Sequence, residues 1–169
     1  MALRVIEAGG KLRLDKNLAG YNHAARHHLW FVLRDLDHDA PCAGEVCQQL
    51  LPKPQTGMML RLAVRAVESW LLADTEAIAH WLGIASSKVP AAPDQLEHPK
   101  RELVNLARRS PSSNLRQDLV PRPEARSLVG PGYVSQIRAY VENSWRPEEA
   151  AGRSPSLSRC LGALERWRP

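Results

Sequence analysis

The sequence predicts an α/β protein, a small parallel sheet flanked by helices, with a mostly helical C-terminal half. Three observations carry that reading. "LWFVLR", residues 29–34, is a continuous apolar run of strand length, the pattern of a strand buried on both faces. A helix signal opening at Pro41 follows it, and an apolar segment from Met58 follows that, so strand and helix alternate as in a parallel sheet. Beyond residue 85 the chain carries helix starts marked by proline or serine and no further strand-like run.

Taken in order, residues 3–7, "LRVIE", read as a short strand stopped by Gly9-Gly10. Residues 17–28 read as a helix with Asn17 near its N-cap. After the 29–34 strand, Pro41 suits a first helical turn because its missing N–H would have no partner there, and the helix runs to Leu51. Residues 58–72, "MMLRLAVRAVESWLL", admit two readings. Leu60, Val64, Val67 and Leu71 fit one helical face, and a strand over 58–64 followed by a helix over 65–72 fits equally well. "ADTEAIAHWLG" is a helix capped by Asp74 or Thr75 and closed by Gly83. A Pro-rich loop over 85–98 leads to a basic helix from Pro99, then an irregular stretch over 110–130. A helix from Pro131 to Asn143 and a last one capped by Ser154-Pro155 complete the chain.

At 169 residues the chain has the length of one domain. It divides into an α/β part, 1–84, and a helical, basic part, 85–169. No apolar run reaches the length of a transmembrane helix, and the early charges of "MALRVIEAGGKLRLD" do not suit a signal peptide. The expectation is a cytoplasmic protein with no membrane association. Cys42, Cys47 and Cys160 show no CxxC spacing, which argues against a disulfide scaffold or zinc ribbon.

The net charge of +5 is uneven: residues 1–97 hold 10 basic and 11 acidic groups, whereas 98–130 hold 7 and 3. A basic second half suits either a phosphate-facing surface or simply a solvated one.

"FVLRDLDHDAP" delivers Asp35, Asp37, His38 and Asp39 directly behind the apolar run. In an extended chain Asp35 and Asp37 project to the same side. Ligands of open α/β sheets bind past the carboxyl ends of the strands. Two carboxylates converging there repel, and a hard cation such as Mg²⁺ relieves that repulsion with the oxygen ligands it prefers. The alternative is a solvated loop whose acids cap the next helix. Asp39, two residues before Pro41, reads as that helix's N-cap, and His38 as a surface loop residue. If 58–64 is a strand, Glu68 lies in the first turn beyond its carboxyl end, where it would complete a metal site or act as general base. The alternative is an Arg65–Glu68 pair on a surface helix. His23 and His27 have zinc-capable spacing but no Glu follows His23, so a solvated face is the reading there. "VGPGY", 129–133, is a turn or an amide cradle for an anion at a helix start.

The stretches "YNHAAR", "WFVLRDLDHDAPC", "LRLAVRAVESWLLAD", "HPKRELVNLARRS", "DLVPRP", "VGPGY" and "SPSLSRCLGAL" occur in this order from Tyr21 to Leu164. Together they resemble a bacterial Toprim-like family, domain of unknown function 4276, over nearly the whole chain. The resemblance implies a Toprim-like parallel sheet and phosphodiester chemistry dependent on Mg²⁺ or Mn²⁺. It implies Asp35 and Asp37 as the metal-binding D-x-D and Glu68 as the acidic residue of the family's E-x-W-L-L-A-D stretch, a third ligand or the base. Family members carry a further strand with a "VEG"-type Glu ahead of this region. The expectation is that the chain starts inside the next element and lacks that Glu and one strand, with Glu7 of "VIEAGG" only imitating the motif. The function that follows is a metal-dependent nuclease, with Lys100, Arg101, Arg108 and Arg109 engaging nucleic-acid phosphates. The rival is a non-catalytic Toprim-like scaffold that serves a protein partner such as an ATPase in phage defence.

Overall fold

A computed structural model describes residues 4–167. The elements run α1 (Lys11–Ala24), β1 (Trp30–Asp35), α2 (Ala43–Leu50), β2 (Met58–Ala63), α3 (Val67–Ala73), α4 (Thr75–Leu82), α5 (Pro99–Ala107), α6 (Ser113–Leu119), α7 (Tyr133–Asn143), α8 (Pro147–Ala151) and α9 (Pro155–Arg166). The fold is α/β: a small parallel sheet flanked by helices, continued by a helical C-terminal half. β1 and β2 pair in parallel from Trp30 opposite Met58 to Asp35 opposite Ala63. The pairing runs past the strand ends, where Leu36 N–H donates to the Ala63 carbonyl (2.9 Å) and Asp37 N–H to that of Arg65 (2.7 Å).

Alternation across the pleat sorts the side chains into two layers. Val32, Leu60 and Met58 pack with Leu18 of α1, and Leu62 and Leu36 pack with Val46 of α2. On the opposite face Ala63, with Leu33 against it, meets Leu157 and Cys160 of α9. Each fully buried leucine here is worth roughly 1.5–3 kcal/mol of transfer free energy. β2 is the strand enclosed on both sides; in β1, Phe31 keeps 41% of its surface exposed, which corrects the expectation that β1 is buried throughout.

The ambiguous segment resolves as strand then helix, the second of its two sequence readings. Asp74 caps α4 by accepting from Ala77 N–H (3.2 Å), and Gly83 closes it with φ +68°, a left-handed conformation glycine adopts without strain. Ser154 likewise caps α9 through Leu157 N–H.

Several expectations are corrected. Residues 4–7 form no strand, and Leu3 lies outside the described residues. Glu7 is exposed and meets Arg138 at 3.2 Å. α1 begins at Lys11 after Gly10, so Asn17 sits inside the helix rather than at its cap. α2 starts at Ala43 with Cys42 as N-cap residue, so neither Pro41 nor Asp39 plays its expected part. Asp39 is instead an ion-pair partner of Lys11 and Arg34. The stretch over 110–130 is not wholly irregular: Ser112 caps α6 through Leu115 N–H.

The helical half closes around α3, every residue of which from Glu68 to Ala73 is buried. Trp70 Nε1 donates to Ser156 Oγ (2.7 Å), and Asp94 accepts from Ser154 Oγ (2.7 Å) and Ser156 N–H (3.0 Å). Asp74 accepts from both the backbone N–H and the guanidinium of Arg146. The Trp70–Ser156 and Asp74–Arg146 bonds tie the end of the α/β part to residues more than 70 positions later in the chain.

Candidate functional site at the carboxyl end of the strands

β1 ends at Asp35 and β2 at Ala63, and α3 leaves directly beyond β2. Asp35 Oδ1 accepts the N–H of Val67 (2.8 Å), so a carboxylate from one strand caps the helix that follows the other. Ala66, the residue before α3, has no side-chain oxygen to do this itself. Glu68 comes next, in the first turn of α3, and is only 3% exposed. Burial pushes the Asp35 carboxyl above its ordinary range; the Val67 N–H opposes this, the Glu68 carboxylate adds to it, and the Lys100 ammonium opposes it. The two acids thus sense each other's charge across the gap between strand end and helix.

Three groups from the helical half and the N-terminal helix complete the arrangement. Tyr133 O–H donates to Glu68 Oε1 at 2.9 Å, both groups being buried. Burial, then the charge and hydrogen bond of Glu68, hold the phenol well above its ordinary range, so it stays a donor at any physiological pH. Lys100 Nζ lies 3.3 Å from the same Glu68 oxygen and 6.0 Å above the centre of the Tyr133 ring. Glu68 Oε2 is buried without a hydrogen-bond partner among the described residues. Lys11, from α1, reaches Asp37 at 2.7 Å and Asp39 at 2.9 Å.

The structure therefore places the sequence-selected acids unevenly. Asp35 and Glu68 come together at the strand ends. Asp37 does not continue the strand alternation: it adopts φ +50°, a left-handed conformation that aspartate tolerates better than most residues, and its carboxylate turns to Lys11. The Arg65 guanidinium donates to the Asp37 carbonyl (3.0 Å) and does not pair with Glu68, so the surface-helix reading of Glu68 is not what the fold adopts. Of the four basic candidates, Lys100 reaches the acids; Arg101 is exposed beside it, and Arg108 and Arg109 lie exposed at the far end of α5.

Tyr133 and Lys11 were not selected from the sequence. Tyr133 is 65 residues from Glu68, and no local pattern links the two. Its placement follows from "VGPGY", which reads as a turn and not an anion cradle. Gly130 and Gly132 give their N–H groups to the carbonyls of Leu119 and Asp118 (3.0 Å each). A Cβ on Gly130 would fall 2.3 Å from the Asp118 carbonyl oxygen, so only glycine permits this approach.

The donor set is all oxygen and partly desolvated, which suits a hard divalent cation. Asp35, through the oxygen not given to Val67, and Glu68, through Oε2, have the capacity to hold one. Asp37 would join only by leaving Lys11. Among the described residues no helix is long and apolar enough to cross a membrane. No protein-family model, curated protein or solved structure matches the chain.

Proposed function

We propose that the chain is a Toprim-like, Mg²⁺-dependent phosphodiesterase, a nuclease acting on nucleic acid. The observation that supports this most is the buried Glu68 carboxylate, whose charge Asp35 senses and which has one oxygen unpartnered among the described residues. An unpaired buried carboxylate oxygen costs stability, and such a cost is commonly retained where a ligand is to be bound. Asp35 and Glu68 would hold the metal, with Asp37 as the third acid of the set. A divalent ion bound there would neutralise charge on the oxygens of a phosphodiester. Tyr133 would keep Glu68 oriented through its O–H. Lys100 and Arg101, at the start of α5, would meet the phosphate backbone, which makes binding salt-dependent.

The test is Mn²⁺ binding by calorimetry, comparing the chain with Glu68→Gln and with Asp35→Asn/Asp37→Asn, followed by a nuclease assay in Mg²⁺. Asn at 35 retains an oxygen for Val67 N–H, so the fold is spared. Binding that vanishes in the variants supports the reading; absence of binding in the folded wild type removes it.

A second reading, a non-catalytic Toprim-like scaffold for a protein partner such as an ATPase, is favoured by one observation. Lys11 and Lys100 already neutralise Asp37 and Glu68, so the acids can persist without a metal. On that reading Glu68→Gln leaves cellular function intact.

A further inference from the structure

Beside the Asp35–Glu68 pair lies a group of different chemistry. His38, Glu97 and His98 each bring one ligand atom to within 4.8 Å of the others. They come from two segments 59 residues apart, the turn after β1 and the approach to α5. The imidazoles of His38 and His98 stand edge to face, 5.4 Å between ring centres and 77° between planes. Glu97 Oε1 is 4.0 Å from His98 Nε2. We propose that His38, Glu97 and His98 form a second metal site that takes Zn²⁺ or a similar borderline-soft transition metal.

The donor set decides the class of metal. Imidazole nitrogen suits zinc, whereas Mg²⁺ selects oxygen, so this site and the carboxylate pair divide the metals between them. Two histidines and one carboxylate with an open fourth position is a set that zinc uses where it binds water or substrate. Zinc bonds of about 2.0–2.2 Å require the three atoms to draw closer than they now stand. All three side chains are exposed, so their rotation displaces no packed neighbour. The location gives the site a consequence. His38 follows Asp37 directly, and His98 is two residues before Lys100, whose ammonium sits 3.3 Å from Glu68. Zinc held here would clamp the β1–α2 turn to the start of α5, two segments that also carry Asp37 and Lys100.

The experiment is titration of the full chain with Zn²⁺ by calorimetry and with Co²⁺ by visible absorption. It compares wild type, His38→Ala/His98→Ala, Glu68→Gln and His23→Ala/His27→Ala. The expected result is one Zn²⁺ per chain, cobalt d–d bands of a nitrogen–oxygen site, loss of both in His38→Ala/His98→Ala and retention in the other two variants. Loss in His23→Ala/His27→Ala instead, unchanged binding in His38→Ala/His98→Ala, or no binding by the wild type overturns the proposal. Because Glu68→Gln addresses Mn²⁺ binding alone, failure of the carboxylate site and failure of this one are read separately.

Discussion

Replacing Tyr133 with Phe probes the buried Glu68 most directly. The change deletes one O–H and keeps the ring that packs in the core of the helical half. Glu68 Oε1 loses its 2.9 Å donor, leaving Lys100 as its remaining partner while Oε2 stays unpartnered. A hydrogen bond to a charged acceptor is worth roughly 1.5–3 kcal/mol, and both partners are desolvated, so the expected loss is about 2 kcal/mol. For a chain of this length that is roughly 4–8 °C in Tm. Urea denaturation at neutral pH measures it. A double-mutant cycle with Glu68→Gln isolates the pair: the Tyr133→Phe effect should shrink by at least about 1 kcal/mol when the carboxylate is already gone. A loss under about 0.5 kcal/mol, or one unaltered in the Glu68→Gln background, would refute the claim that Tyr133 stabilises a buried carboxylate.

Glu68→Gln by itself should change stability little in the same denaturation assay, because it removes a buried charge with an unpartnered oxygen but also the ion pair with Lys100. Asp74→Ala should cost about 2–4 kcal/mol in urea, since it removes a helix cap and leaves Arg146 without its acceptor. Stability should also follow pH in opposite senses at two acids. Asp35 is held above its ordinary value of 3.8, so as pH rises through that window the folded state keeps a proton the unfolded chain has released, and stability falls. Burial alone would raise Asp74, but the Arg146 guanidinium and the Ala77 N–H hold it below, so its contribution is present above 3.8 and is lost as pH falls through the lowered value. Asp35→Asn should abolish only the first effect, so its stability relative to wild type should grow as pH rises from about 4, read from urea midpoints between about pH 3 and 7.

Where a local signal exists, the element could be read from the sequence. β1 follows from an apolar run of strand length, α4 from Asp74 and Gly83, and α9 from Ser154-Pro155, whereas β2 is one of two equal readings of residues 58–72. α1 was misplaced because its inward stripe is thin, with Leu18 its one fully buried residue, and Asn17 resembles a cap. α6 hides among prolines, although Ser112 before Leu115 and Leu119 was a usable signal. For the site, Asp35 is legible from its place at the end of the apolar run, and Glu68 from its place beyond 58–64 on the strand reading of that segment. The orientation of Asp37 was not legible, because it depends on a left-handed backbone and on Lys11, 26 residues upstream. The contacts of Tyr133 and Lys100 with Glu68 and the meeting of His38 with His98 are products of chain crossings that no local pattern encodes.

The enclosure of α3 has a consequence for the order of synthesis. Trp70 and Asp74 find partners in residues 146–156, and the Glu68 partners Lys100 and Tyr133 also come later in the chain. A ribosome that has released the chain only to residue 84 has delivered both strands and all three candidate acids, Asp35, Asp37 and Glu68. It has delivered neither the lysine nor the tyrosine that steadies Glu68, nor the helix that shields one face of the sheet. The acids therefore acquire their arrangement late, when the residues from Lys100 onward fold back, and a chain cut at residue 84 leaves an apolar sheet face in search of cover.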